Sequence, residues 1–134
     1  MKTAQEYISE IKANIIEVST HDLLTAMLNP DVVIIDVREH EEFLLGHIEG
    51  AVNFPRGVLE MKIHEHPLVS HHCEWVLALS ELAEKEIFLI CRTGGRSALA
   101  ADSLQNMGFK KPLSVAGGMV QWQQDGFPLV PYKV

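Results

Sequence analysis

Residues 87–101 read IFLICRTGGRSALAA: four apolar residues, a cysteine, a short loop with two glycines and two arginines, then an alanine-rich stretch. The unbroken apolar run Ile87–Ile90 has the pattern of a strand covered on both faces, as in parallel sheets. Arg96–Met107 reads as a helix closed by Gly108. A strand that passes into a helix through a glycine turn is the repeating unit of an α/β sheet. Ligands of such sheets bind where strands end at their carboxyl side, and Cys91 stands at that point.

Working outward, a second buried strand is expected at Val32–Asp36, after the turn at Pro30-Asp31. Shorter strands are expected at Glu17-Val18, at Ala51–Phe54 before Pro55, and at Leu113–Val115. Between them lie helices at His21–Leu28, capped by Ser19 or Thr20, and at Glu39–Leu45, ended by Gly46. Two more helices, split near Pro67, are expected within Arg56–Glu86, and Gly117-Gly118 opens a last one around Trp122. Ahead of all these, Thr3 and Glu6 have capping-box spacing, with Tyr7, Ile8, Ile11 and Ile15 at helical intervals. Strands alternating with helices imply an α/β fold, a central, mainly parallel sheet with helices on both faces.

The chain has 134 residues, 47% of them hydrophobic and 22% charged, which fits one soluble globular domain and no fibre, repeat array or disordered tail. A net charge of −7 argues against a nucleic-acid partner. Two cysteines cannot form a disulfide scaffold. Charges at Lys2, Glu6, Glu10 and Lys12 leave no room for a secretory h-region, no run approaches a bilayer span, and no lipidation motif occurs. The expectation is a cytoplasmic protein without membrane association.

The chemistry is concentrated in Cys91-Arg92-Thr93-Gly94-Gly95-Arg96-Ser97. Gly94 and Gly95 let the backbone curl so that consecutive N–H groups converge. The following helix adds its positive end, and the arginines add two guanidinium charges. This field favours an anionic sulfur. An anion cradle around a thiolate suits attack on a phosphoryl or arsenyl group, or on a sulfane sulfur. The bland alternative is an inert cysteine at a strand end. It leaves two arginines beside a buried loop with no anion to meet, so Cys91 reads as a nucleophile.

Three separated motifs make the chain from about Ile16 onward resemble a single-domain rhodanese, of the rhodanese-like sulfurtransferase family. The first is Asp36-Val37-Arg38-Glu39 with Glu42-Phe43, followed by Gly46-His47-Ile48, Gly50-Ala51 and Asn53-Phe54-Pro55; the second is the cysteine loop; the third is Ala116-Gly117-Gly118-Met119 with Trp122. The resemblance implies a rhodanese-like three-layer domain over 16–134, with residues 1–15 forming an amphipathic helix outside the family core. It further implies that Cys91 takes the outer sulfur of a donor such as thiosulfate and passes the persulfide sulfur to cyanide, a thiol or a protein. Arg92 and Arg96 would hold the anionic donor, and Thr93, Gly94, Gly95 and Ser97 would complete the binding loop. Phosphatases and arsenate reductases share this fold, but phosphatase-type loops place five residues between cysteine and arginine. Here four separate Cys91 from Arg96, which favours sulfur transfer. No cofactor is implied, and the oligomeric state is open.

Other candidates carry two readings each. Asp36, Arg38 and Glu42 look like an ion-pair set, with Arg38 and Glu42 bracing one another across a helical turn or Asp36 and Arg38 walling the site. Arg56 lies at the pocket rim in the family, or is a solvated surface arginine. His64, His66, His71, His72 and Cys73 fall within ten residues. Their spacing matches no closed zinc pattern and Pro67 breaks a common face, so exposed loop positions are expected and no metal site. Cys73 reads as an inert buried residue or as a second thiol able to accept sulfur. His47 reads as a hydrogen-bonding brace, and Met119 and Trp122 as core. The leading helix could pack on its own domain or join two subunits.

Overall fold

The computed structural model describes residues 1–131; the final three residues of the expected domain, 132–134, lie outside the described residues. Among these described residues five strands, β1 (Ile16–Val18), β2 (Val33–Asp36), β3 (Val52–Asn53), β4 (Glu86–Ile90) and β5 (Lys111–Val115), form one sheet in the order β1-β5-β4-β2-β3. Every pairing among these five strands is parallel, in keeping with the expected parallel sheet, and an isolated antiparallel bridge joins His47 to Val130. Among the described residues, seven helices surround the sheet: α1 (Ala4–Lys12), α2 (Thr20–Ala26), α3 (His40–Leu44), α4 (Leu59–Lys62), α5 (Trp75–Leu82), α6 (Gly95–Asn106) and α7 (Gly118–Gln124). No helix among the described residues is long and apolar enough to cross a membrane.

Side-chain alternation along the strands sorts the core into two layers. Val33, Ile35 and Val37 join Ile87, Leu89 and Cys91 against Leu59 of α4, Leu82 of α5 and Leu104 of α6. Ile34, Phe88 and Ile90 face the other way, toward Leu23 of α2 and Met119 and Trp122 of α7. The β2–β4 register pairs Asp36 with Ile90, and the Val37 N–H donates to the Ile90 carbonyl at 2.9 Å. Cys91 therefore emerges from the centre of the sheet, on the face that carries α6.

Local signals explain most boundaries. Capping boxes start α1 at Thr3 with Glu6 and α2 at Ser19 with Asp22. Between Arg56 and Glu86 the structure departs from the two expected helices: α4 has four residues, 3₁₀ turns follow at Ile63–Glu65 and Pro67–Val69, and only α5 is a full helix. Pro67 has no N–H to donate, and His66 instead caps the second turn, its Nδ1 accepting the Leu68 N–H at 3.1 Å. The leading helix packs on its own chain, α1 against α6, with Ile11 buried and Ile15 against the α6-side core.

Candidate active site

Cys91 ends β4 and is 1% exposed. The next residues curl round its sulfur. Gly94 adopts φ +106°, a conformation open to glycine at little cost, and this turns its N–H onto Cys91 Sγ at 3.1 Å. The Ser97 N–H points to the same sulfur at 3.4 Å, and the Ser97 hydroxyl lies 3.5 Å from it. The loop carbonyls face the other way: those of Cys91 and Arg92 accept N–H groups of Met119 and Val120, at 2.8 and 3.0 Å, from the first turn of α7. With its carbonyls tied to α7 and its N–H groups turned inward, the loop presents a positive field to Sγ, reinforced by the amino end of α6. The arrangement is an anion cradle centred on the sulfur.

Gly118 makes the close approach of α7 possible. A Cβ there would sit 2.4 Å from the Cys91 carbonyl oxygen and 2.6 Å from that of Arg92. On the opposite flank, Ile8 of α1 backs the loop, its Cδ1 3.3 Å from where a Cβ on Gly95 would lie. Beneath the loop, the Ser97 hydroxyl is hydrogen-bonded to that of Ser114 on β5 at 2.8 Å, both serines fully buried. Sequence reasoning missed Ser114; its signal was a lone hydroxyl inside a buried strand.

The two loop arginines play different parts. Arg96 forms a bidentate pair with Glu42 of α3, Nη1 to Oε1 at 2.6 Å and Nη2 to Oε2 at 3.0 Å. Arg96 holds the Glu42 carboxyl down to about 2, with a backbone hydrogen bond at Glu39 adding to the effect. Glu42 in turn raises Arg96 above its ordinary value, with the Cys91 sulfur a smaller contributor. Arg96 thus spans loop and α3 and is already neutralised. Arg92 is exposed and, among the described residues, makes no ion pair. It opens on a shallow groove of about 290 Å³ shared with Glu42, Leu45, Val120 and Gln123. Thr93 is exposed beside it. A larger concavity, of about 680 Å³, lies elsewhere, at the amino-terminal ends of β2 and β4 near Asn29 and Glu86, remote from Cys91.

The expected brace between Arg38 and Glu42 is not formed. Arg38 turns back onto Asp36, with Nε to Oδ1 at 3.0 Å and Nη2 to Oδ2 at 2.8 Å, and Nη2 also donates to the Gly46 carbonyl at 2.8 Å. Both residues are buried, and a buried charge needs its partner at contact. Side-chain alternation puts Asp36 on the sheet face opposite Cys91, so its carboxylate supports the Gly46 turn rather than the sulfur. Arg38 does reach the wall of the Arg92 groove. Arg56 does not line it; its N–H bonds the Val37 carbonyl and its Nη1 pairs with Glu60 at 3.3 Å. His47 braces as expected, stacked on Phe43 with Nδ1 donating to the Phe43 carbonyl at 3.0 Å. Met119 and Trp122 are core.

The histidine-rich stretch is redistributed. His66 is buried instead of exposed, and burial pushes its imidazole below its ordinary value. Cys73 is exposed instead of buried, because it lies in the bend before α5 rather than on a core-facing helix.

A family model described as the Rhodanese-like domain matches residues 19–125. A putative sulfur carrier protein of Bacillus subtilis is 32% identical over 123 residues, covering 91% of this chain; the chain spans 58% of that relative's length. Among solved structures, the polysulfide-sulfur transferase homodimer of Wolinella succinogenes aligns with TM-score 0.71 and 27% identity, over 93% of this chain and 85% of that one. A Rhodopseudomonas palustris protein of unknown function, described as a possible tyrosine phosphatase, aligns with TM-score 0.77 and 28% identity, over 97% and 96%.

Proposed function

The chain belongs to the rhodanese-like domain family, and from that premise we propose that it is a sulfurtransferase of the thiosulfate type, working through a persulfide on Cys91. The observation that carries the reading is the convergence of the Gly94 and Ser97 N–H groups on Cys91 Sγ, inside a loop with four residues between cysteine and arginine. In the first step the thiolate attacks the outer sulfur of thiosulfate. A Cys91 S–S bond forms, the donor's S–S bond breaks, and its electron pair leaves with sulfite. In the second, cyanide or a thiolate takes the terminal sulfur and restores the thiolate. Charge balances in both steps, and the covalent intermediate divides one transfer into two easier ones. The loop N–H groups stabilise the persulfide anion as an oxyanion hole does an alkoxide.

Arg92 would meet the incoming dianion, a reading supported by its place on the groove and by the engagement of Arg96 with Glu42. The exposed groove beside Arg92 leaves room for a thiol-bearing acceptor, small or protein-borne. The sulfur-carrier and polysulfide-transferase relatives support sulfur as the cargo. The possible-phosphatase relative supports the alternative of phosphoryl or arsenate chemistry on this fold, against which stands the shorter loop. We further propose that the protein works in the cytoplasm, on a small anionic sulfur donor.

Mass spectrometry of the intact protein after incubation with thiosulfate, and separately with polysulfide, tests the proposal. One added sulfur, removed by cyanide with release of thiocyanate and absent in Cys91→Ser, is the expected result. A Cys91 that gains no sulfur from either donor, together with vanadate-sensitive turnover of an aryl phosphate, would move the site to the phosphatase class.

A further inference from the structure

Upstream of the Cys91 loop and outside it, two histidines converge on one carboxylate. His71 and His72 follow the 3₁₀ turn Pro67–Val69, where the His72 N–H donates to the Val69 carbonyl at 3.2 Å and turns the chain. Glu81 lies one residue before the end of α5. The Nε2 atoms of His72 and His71 stand 2.9 and 3.6 Å from the same oxygen, Glu81 Oε1. The two imidazoles are 4.2 Å apart and tilted by 37°, and one donor atom from each of the three residues falls within 4.8 Å of the others.

We propose that His71, His72 and Glu81 form a binding site for a late first-row divalent cation such as zinc, with water completing the coordination shell. A tetrahedral ion with bonds of about 2.05 Å holds its ligands about 3.3 Å apart, and the two imidazole–carboxylate separations fall on either side of that spacing. Two imidazoles with one carboxylate suit zinc and its neighbours, whereas calcium and magnesium require shells of oxygen. The side chains of His72 and Glu81 are 24% and 36% exposed and that of His71 63%, so the ion would sit at the surface, with one side open to water. Ligation would tie the 70–74 bend to α5. The sequence pattern does not disclose the site, because its third ligand comes from a different element, across the bend from the adjacent histidines.

The test uses the full chain, stripped with chelator and titrated with zinc by calorimetry, and with cobalt by visible absorption. The expected result is one equivalent bound, with a rise in the thermal unfolding midpoint that saturates at one equivalent. Groups that merely stand behind a metal ligand cost about 10–100-fold in affinity when removed, so His72→Ala and Glu81→Gln should each weaken zinc at least about tenfold. Cys73→Ser should leave affinity unchanged, and the cobalt spectrum should lack thiolate charge transfer. Zinc binding of wild-type strength in both ligand variants would overturn the proposal, as would its loss in Cys73→Ser or no binding at all. Glu81→Gln keeps a hydrogen-bond acceptor for His72, and the urea midpoint of each metal-free variant checks its fold. None of these residues belongs to the Cys91 loop, so the outcome is independent of sulfur transfer.

Discussion

Gly118→Ala would bring a Cβ against the carbonyl oxygens of both Cys91 and Arg92, at 2.4 and 2.6 Å, distances that no side-chain rotation relieves because both neighbours are backbone. Gly118 also has φ +55°, where an L-residue carries a penalty of about 1–2 kcal/mol. Relief of the contact must move α7 off the loop, stretching the Met119 and Val120 hydrogen bonds that turn those carbonyls outward. Overpacking of this kind costs about 1–3 kcal/mol. Gly126 supplies the control: its φ is +74°, and nothing lies within 4 Å of where its Cβ would be. The conformational penalty is common to both substitutions. Gly118→Ala should therefore destabilise by about 1–3 kcal/mol more than Gly126→Ala in urea unfolding at matched slope. It should also slow sulfur loading of Cys91, since the inward N–H groups depend on the outward carbonyls. Equal losses of stability in the two variants would refute the claim that the α7–loop contact positions the N–H cradle.

Three further outcomes are expected. Asp36→Ala strands Arg38 in a buried site and should cost about 3–5 kcal/mol, measured by urea unfolding. The Glu42 carboxyl is depressed from 4.5 to about 2, so its pairing with Arg96 stabilises the fold above the unfolded value and is lost as pH falls from about 4.5 toward 2. The depression sets a ceiling of about 3 kcal/mol, which solvent screening of side chains a third exposed reduces to about 1 kcal/mol. The stability gap between the wild-type chain and Glu42→Gln should close over that window, and a gap that is flat with pH would remove the assignment. Ser114→Ala should leave the Ser97 hydroxyl without its partner, costing about 1 kcal/mol while Cys91 still loads sulfur. Complete loss of loading in a folded Ser114→Ala would make the hydroxyl pair essential to the chemistry.

Much of the site was legible before folding because its parts are contiguous. Strand, cysteine, glycine turn and helix occupy one stretch of 15 residues, and each is set by local rules: apolar burial, positive φ at glycine, and the amino end of a helix. The two apolar strands, the capping box of α1, the start of α2 near Ser19 and the core roles of Met119 and Trp122 were legible for the same reason. Arg56–Glu86 was not, because it carries no sustained period and its short turns follow proline and local caps.

What the sequence alone determined, then, is the placement of the cysteine proposed as nucleophile, since covalent neighbours dictate how β4 passes into α6. What only the tertiary structure decided is the pairing of charges. Arg96 finds Glu42 at 54 positions' separation, Arg38 finds Asp36 instead of Glu42, and His71 and His72 meet Glu81 across a bend. A charge can pair with any opposite charge that the fold brings within contact, so residue types restrict the candidates without choosing among them. The choice is made by parallel crossovers that set β2 beside β4 and by side-chain alternation that sends Asp36 and Cys91 to opposite faces. In consequence, one of the two arginines beside the sulfur is already neutralised, and Arg92 makes no ion pair among the described residues.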